Sequence, residues 1–288
     1  MSRRAFTLVE LLVVISIIGM LSTIAIVSTG NSREKARLSA AAGFAAQLDR
    51  INGDLAAGEW LLNEGSGTAA GDSSGNGRGM VLINGSTWST DTPAGKGYSI
   101  YLDGLNDYLQ AADGTPFKYR GGGLTAAVWI KPDAAENNGG CLISKPWNSA
   151  GEYNYVLSYG ADGKITMGVR GATGFSITTV ASVPTGRWSF VAATVDAAQN
   201  INIYVDGGLK VSAVHNVVSW VPVNGDANVP LAIGTLYPYG SGWGGNAGFS
   251  FGGLIDDPRV FGDVFTSERI RRLYADGLAA HRREIVKR

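Results

Sequence analysis

The strongest constraint on the fold is an apolar run near the N-terminus, from Phe6 to Val27. A helix rises about 1.5 Å per residue, so this run would be roughly 33 Å long, enough to cross the apolar part of a bilayer. Arg3 and Arg4 precede it, and positive charge stays on the cytoplasmic side. The run therefore predicts one membrane-spanning helix with the remaining chain outside. The alternative is a cleaved secretory signal peptide with its cleavage site within 27–30.

Glu10 is the only charged residue inside this apolar run. A carboxylate in hydrocarbon costs on the order of a few kcal/mol, and it usually marks a function or a partner. A helix that only anchors a protein has no use for such a residue. Glu10 therefore indicates that the helix has a partner in the membrane.

The sequence Arg3-Arg4-Ala5-Phe6-Thr7-Leu8-Val9-Glu10, followed by a long apolar segment, resembles the N-terminus of type IV pilins and pseudopilins. The resemblance implies that a prepilin peptidase cuts between Ala5 and Phe6 and methylates the new amine. The family usually has Gly before the cut, and Ala5 departs from that pattern. In the family, the acid at the position of Glu10 meets the amino terminus of a neighbouring subunit during filament assembly.

This resemblance also implies where the protein is found and what it contacts. We expect a single-pass protein of the bacterial inner membrane with its C-terminal domain outside, and an extracellular filament after assembly. Its expected partners are the prepilin peptidase, other pilin subunits and the membrane itself. The alternative is a plain membrane anchor that never polymerises.

Composition limits the rest of the chain. Lys and Arg number 24, as do Asp and Glu, so no nucleic-acid surface is predicted. The 41 glycines, together with 45% hydrophobic residues, indicate short strands and tight turns. Cys141 is the only cysteine, which excludes an internal disulfide, and its apolar neighbours predict a buried structural thiol.

An amphipathic pattern follows the apolar run. Phe44, Leu48, Ile51 and Leu55 recur at helical spacing among charged residues, so the helix is predicted to continue into water. The predicted division is a leader at 1–5, a helix at 6–55, a β-sandwich at 56–277 and a basic tail at 278–288.

From Glu59 onward the pattern predicts antiparallel β structure, as a sandwich or a barrel. Short alternating runs are separated by turn signals such as Asp103-Gly104 and Asp206-Gly207. Near the C-terminus, Thr266 or Ser267 is predicted to cap a short helix that ends near Gly277. The predicted strands are 99–102, 124–130, 155–159, 164–169, 188–195 and 200–205.

The order of these segments resembles the laminin-G-like and concanavalin A-like lectin/glucanase jelly roll. The resemblance implies two facing antiparallel sheets, which bind carbohydrate or protein in most members and are catalytic only in some. The segments that carry it are 60–68, 72–77, 98–109, 124–132, 188–196, 203–207, 253–261 and 267–274.

Catalysis is not predicted. Glycoside hydrolysis needs two carboxyl groups roughly 5 to 9 Å apart, which on a strand requires spacing that places both on one face. The glucanases of this fold carry Glu-x-Asp-x-x-Glu, and no such string occurs among the eight glutamates here. Asp256 and Asp257 are adjacent, which would point them to opposite faces. A hydrolase is therefore the least favoured alternative.

A structural calcium ion is implied by the jelly-roll resemblance, because sandwiches of this superfamily often hold one near the first and last strands. Carried over by position, Glu64 and Asp256 are candidate ligands, and Asp72 and Asp103 are further ones. Asp103 precedes Gly, so a hairpin turn also accounts for it.

Two aromatic loops have the chemistry of a glycan site, because exposed rings can stack on sugars beside polar groups. The first carries Tyr237, Tyr239, Trp243 and Asn246, and the second carries Trp147. Both loops could instead plug the ends of the sandwich. Three further tryptophans sit in strand-like alternation and are predicted to be packing residues: Trp60, Trp129 and Trp188.

Together these features predict a non-catalytic pilin-like subunit that displays a lectin-like domain for adhesion or ligand binding. The alternative of a different class is a membrane-anchored carbohydrate-binding module that does not polymerise.

Overall fold

The computed structural model describes residues 8–9, 11–17, 56–114, 117–134, 139–146, 153–171, 174–180, 182–214, 229–236 and 249–280. The chain forms two compact units, Met1–Asp54 and Leu55–Arg288. In the first unit the described residues are helical, and their apolar side chains are exposed, with Leu8 at 81% and Val14 at 44%. The remainder of the predicted helix lies outside the described residues. Within the described part of the chain, no helix is long and apolar enough to cross a membrane.

The second unit is built from sixteen described β-strands and a C-terminal helix. Successive side chains in a strand point to opposite faces, so a strand with one exposed face alternates in burial, as Tyr108–Ala111 does. The central strands Leu124–Pro132 and Ser189–Val195 are instead buried on both faces and have few polar residues. The six strands predicted from the sequence are all present; four are one to three residues longer than predicted, and the strands predicted at 188–195 and 200–205 each begin one residue later. The bounds are β1 Ala56–Glu59, β2 Ala69–Ala70, β3 Met80–Ile83, β4 Thr87–Ser89, β5 Ser99–Asp103, β6 Tyr108–Ala111, β7 Leu124–Pro132, β8 Gly139–Pro146, β9 Tyr153–Gly160, β10 Ile165–Gly171, β11 Gly174–Val180, β12 Ser189–Val195, β13 Ile201–Val205, β14 Gly208–Ala213, β15 Leu231–Ile233 and β16 Gly252–Phe261.

The strands form two antiparallel sheets. The first sheet has the order β14-β13-β12-β7-β16-β5-β4, and β1 pairs with the second half of β16. The second sheet has the order β11-β10-β9-β8-β15-β6-β3-β2. One hydrophobic core, with Trp60, Ile130 and Leu157 fully buried, draws on both sheets. The predicted antiparallel sandwich is therefore confirmed.

The C-terminal helix, Ser267–Ala280, covers part of the outer face of the first sheet. Thr266 caps it, since its hydroxyl accepts a hydrogen bond from the backbone N–H of Arg269 at 3.3 Å. Tyr274 stacks on Trp129 with ring centroids 5.3 Å apart.

The helix does not end near Gly277, as the sequence had suggested, but continues to Ala280. A Cβ atom added to Gly277 would lie 2.4 Å from Trp129 Nε1. Glycine at this position therefore allows the helix to approach the sheet closely, and it does not terminate the helix.

Cys141 is expected to be unreactive in the native protein. Its side chain is 4% exposed, and burial raises the pKa of its thiol to about 12. The thiolate is the nucleophile, so an aromatic disulfide reagent should modify the folded chain far more slowly than the same chain in guanidinium chloride. The absorbance of the released thiol measures both rates. Stoichiometric modification of the folded chain at the denatured rate would contradict the buried thiol.

Candidate functional site

The predicted processing and assembly residues Ala5, Phe6 and Glu10 lie outside the described residues. The structure therefore neither places them nor tests their roles. The described neighbours at 8–9 and 11–17 form helix, as the pattern predicts.

The predicted glycan-binding residues Trp147, Tyr237, Tyr239, Trp243 and Asn246 also lie outside the described residues. The strands that lead to them are described. β8 runs antiparallel to β15, so their C-terminal ends lie at opposite ends of the second sheet. The segment after β8 and the segment that follows β15 therefore start from opposite ends of the sandwich.

Asp72 organises a loop that fastens β1 to the domain. Its Oδ1 accepts hydrogen bonds from the hydroxyl of Ser74 at 2.6 Å and from the backbone N–H of Glu59 at 3.3 Å. Its Oδ2 accepts one from the backbone N–H of Arg78 at 2.9 Å. Burial alone would raise the pKa of Asp72, but these hydrogen bonds outweigh it and hold the pKa below 3.8. Asp72 is thus an ionised anchor of the loop.

The other three predicted calcium ligands have separate surroundings. Glu64 accepts a hydrogen bond from the backbone N–H of Gly71 at 2.8 Å. Asp103 accepts one from the backbone N–H of Leu105 at 2.8 Å, as expected for a turn residue. Asp256 is fully buried in β16.

The predicted calcium-binding carboxylates do not form a cluster of ligands by themselves in the described part of the chain. Among the described residues, no three His, Cys, Asp or Glu side chains converge in an arrangement that could hold a metal ion. Calcium requires six to eight oxygen ligands, so a site at any one of these residues would depend largely on backbone oxygens or water. Calcium binding stays a prediction.

A buried ion cluster lies at one end of the second sheet. Asp113 Oδ1 is 2.9 Å from Lys145 Nζ, and Asp113 Oδ2 is 2.9 Å from Lys118 Nζ. Lys145 also donates a hydrogen bond to the carbonyl of Val229, and its side chain is 1% exposed. Its cross-strand neighbour Tyr155 is fully buried. The cluster belongs to the interior and joins the ends of three strands.

A second group of side chains lies on the outer face of the first sheet and is partly exposed. Tyr101 lies between the core residues Ile100 and Leu102, and Leu254 precedes the core residue Ile255. Because side chains alternate along a strand, Tyr101 and Leu254 point away from the core. Both are half-buried.

The strand register places these outward residues side by side. Leu254 is the direct partner of Lys131 on one side and of Tyr101 on the other. Tyr101 is in turn the partner of Thr87 on the edge strand β4. Four neighbouring strands therefore present their side chains in one line.

Trp188 extends this line to a fifth strand. Ser189 pairs with Ile130, which places Trp188, one residue earlier, beside Lys131. The carboxylate of Asp91 links the two, since it accepts a hydrogen bond from Trp188 Nε1 at 2.8 Å and pairs with Lys131 Nζ. We call this line the outer row, and its members are Trp188, Lys131, Leu254, Tyr101 and Thr87.

The prediction that the three strand-like tryptophans are packing residues fits Trp60 and Trp129, and Trp188 also packs against a buried cluster but stays partly exposed. Trp60 and Trp129 are buried, at 0% and 3% exposure. Trp188 precedes β12 and is only half-buried. It packs against the hydrophobic cluster that lies between the first sheet and the C-terminal helix. The alternation of side chains does not distinguish Trp188 from Trp129, because both are at outward positions. Whether such a position is buried depends on whether the C-terminal helix covers it.

Two acidic residues lie next to the outer row. Gly252 pairs with Asp103, and its carbonyl accepts a hydrogen bond from the backbone N–H of Asp133 at 3.0 Å. Asp133 and Asp103 are half-buried and lie on either side of Gly252, which has no side chain. We call these two residues the acidic pair.

The fold and its faces define an antiparallel sandwich of the lectin type. The chain belongs to the concanavalin A-like lectin/glucanases superfamily, whose family model matches residues 102–271. The prokaryotic N-terminal methylation motif matches residues 1–26. Both resemblances inferred from the sequence are therefore confirmed. No curated protein shows significant similarity to the chain.

Solved structures with the same fold include binding domains of bacterial toxins. The binding domain of Paraclostridial Mosquitocidal Protein 1 has a TM-score of 0.60 and 14% identity, over 78% of this chain and 52% of that one. The botulinum neurotoxin serotype D binding domain gives 0.56 and 16%, over 78% and 52%. The serotype D ligand binding domain in complex with N-acetylneuraminic acid gives 0.57 and 16%, over 78% and 51%. The chain thus spans about half the length of these domains, and the likeness shows the fold alone.

Proposed function

We propose that the protein is a non-catalytic pilin-like subunit that displays a lectin-like domain for binding glycans. The observation that carries this proposal is the order of two matched segments in one chain. A methylation motif at residues 1–26 precedes a sandwich of the concanavalin A-like superfamily. The exposed apolar side chains of the described N-terminal helix support a role for that helix in contacts outside its own domain.

In this proposal a prepilin peptidase cuts between Ala5 and Phe6 and methylates Phe6. The processed chain is held in the inner membrane and then joins a filament through its helix, where Glu10 meets the amino terminus of a neighbouring subunit. The sandwich faces outward and binds its ligand. Catalysis has no part in this function.

Processing is tested by mass spectrometry of the chain purified from cells. The expected N-terminus is N-methylated Phe6. An Ala5→Gly variant, which restores the residue usual in the family, should be processed to the same product. An intact leader, or a cut after Val27, would overturn the proposed processing and favour a plain anchor or a signal peptide.

Assembly is tested with Glu10→Ala. The variant should still insert in the membrane and be cleaved, but it should be lost from sheared filament fractions, because the partner of the neighbouring amino terminus is removed. Glu64→Ala, which changes an exposed carboxylate of the sandwich, serves as the matched control and should be incorporated normally. Equal incorporation of both variants would favour the non-polymerising carbohydrate-binding module.

A further inference from the structure

We propose that the outer row and the acidic pair bind a neutral oligosaccharide that lies across the strands of the first sheet. This inference rests on the proposed glycan-binding function and assigns it to a particular surface. It is independent of the aromatic loops that the sequence had suggested.

The length of the surface suits a chain of several sugar units. The outer row crosses five neighbouring strands, and strands in a sheet are about 4.8 Å apart, so it is roughly 19 Å long. Trp188 lies at one end, and Tyr101 lies three strands away. Two aromatic side chains are thus separated by roughly 14 Å, with Lys131 and Leu254 between them.

Within the described part of the sandwich, the C-terminal helix stops short of this surface and does not cover it. On β7 the preceding outward residue, Trp129, is covered by Tyr274 and by the close approach of Gly277. The side chain of Lys131, the next outward residue, is 28% exposed, and that of Asp91 beside it is 44% exposed. Trp129 is therefore covered by the C-terminal helix, whereas Lys131, two residues later on the same face of β7, is partly exposed.

The chemistry of the surface matches that of a sugar. Half-buried aromatic rings offer flat apolar contacts, and polar groups beside them fix the orientation of a ligand. Asp91 already holds the indole N–H of Trp188, so the ring is fixed in place before any ligand binds. Lys131 supplies a donor, and the acidic pair supplies acceptors for hydroxyl groups.

The charges favour a neutral ligand over an acidic one. Lys131 is the only cation of the outer row, and Asp91 neutralises it. Burial alone would raise the pKa of Asp91, but its hydrogen bonds with Lys131 and Trp188 keep it below 3.8, so the carboxylate is ionised at neutral pH. Asp133 and Asp103 add negative charge, which would repel a uronic or sialic acid.

The test uses the full-length chain in detergent and measures binding by isothermal titration. The probes are neutral hexasaccharides of β-1,4-glucose, α-1,4-glucose and N-acetylglucosamine, their disaccharides, and a hexamer of galacturonic acid. At least one neutral hexasaccharide should bind, and it should bind more tightly than its disaccharide because only the longer chain reaches both aromatic residues.

Trp188→Ala and Tyr101→Ala should each weaken binding of that hexasaccharide by about tenfold or more, which corresponds to about 1.4 kcal/mol. Trp188→Tyr should restore part of the loss, since the phenol keeps a flat ring at the same place. Tyr98→Ala, which removes a half-buried ring outside the outer row, is the matched control and should bind as the unmodified chain does. Thermal unfolding of each variant checks that the sandwich is intact.

Each other outcome would overturn the proposal in a distinct way. Unchanged binding by folded Trp188→Ala and Tyr101→Ala would move the site elsewhere and leave the glycan-binding function standing. Tighter binding of the galacturonic acid hexamer would refute the neutral ligand. An unmodified chain that binds no oligosaccharide would refute both the site and the glycan-binding function. Self-association that depends on Trp188, without glycan binding, would make this face an interface between copies.

Discussion

Replacing Asp113 with Asn is expected to lower the free energy of unfolding by about 3 to 5 kcal/mol, since it breaks a buried ion cluster by removing one partner. Lys145 and Lys118 would then face each other without the carboxylate that lies 2.9 Å from each of them. Chemical denaturation followed by tryptophan fluorescence measures the loss. For a domain of this size the melting temperature should fall by roughly 10 °C.

Two comparisons separate this explanation from a general effect of mutation. Lys145→Met should cost less than Asp113→Asn, because it leaves one neutral pair, Asp113 with Lys118. Asp162→Asn removes a carboxylate from an ion pair with Lys164, in which both side chains are at least half exposed. That control should leave the denaturation midpoint unchanged. Equal losses for Asp113→Asn and Lys145→Met would contradict the predicted clash of two buried cations.

The effect of Asp113 should also depend on pH. Burial alone would raise its pKa, but the hydrogen bonds from Lys145 and Lys118 outweigh it and hold the pKa below 3.8. A lowered pKa means that the stabilisation is complete above the unfolded pKa and is lost as the pH falls through the folded one. The difference in stability between the unmodified chain and Asp113→Asn should therefore be constant from pH 5 to 7 and shrink below about pH 4.

Replacing Arg259 with Met is expected to destabilise the domain by a similar amount, about 3 to 5 kcal/mol. The guanidinium of Arg259 forms two hydrogen bonds with Asp257, of 2.7 and 2.6 Å, and lies 3.1 Å from Glu59 on β1. Without it, two largely buried carboxylates would face each other with no cation between them. Because Glu59 and Arg259 are direct cross-strand partners, the substitution would also remove the ion pair that links β1 to β16.

This loss should be smaller in acid. Burial raises the pKa of Glu59 above 4.5, and Arg259 limits the increase. In Arg259→Met the pKa of Glu59 should rise further. A raised pKa means that the protonated form is favoured in the folded state, so the contribution to stability is present at low pH and lost as the pH rises. The variant should therefore recover stability between pH 7 and about pH 4.5.

Arg187→Met is the matched control for Arg259→Met. The side chain of Arg187 is 67% exposed, and it forms a long ion pair of 3.8 Å with a carboxylate oxygen of Asp206. Loss of such a surface pair should not change the denaturation midpoint measurably. A pH-independent loss in Arg259→Met would show that packing of the long side chain matters more than its charge.

The sequence alone determined the features that depend on local pattern. The basic residues, the apolar run and Glu10 predicted the N-terminal motif, because a prepilin signature is contiguous. Alternation and turn residues predicted the strands and the sandwich, since each strand carries its own period of two. The single cysteine excluded a disulfide and predicted a buried thiol, and Cys141 is buried.

Only the tertiary structure decided which polar and aromatic residues meet. Lys145 lies on a different strand from the segment that carries Asp113 and Lys118, so no local pattern links it to them. The outer row depends on the register of five strands, and a shift of one residue in any of them would turn its member inward. Trp129 and Trp188 both lie at outward positions of the first sheet, yet the C-terminal helix covers one and leaves the other half-exposed. Burial at an outward position is set by a distant element, and for that physical reason the sequence could not separate them.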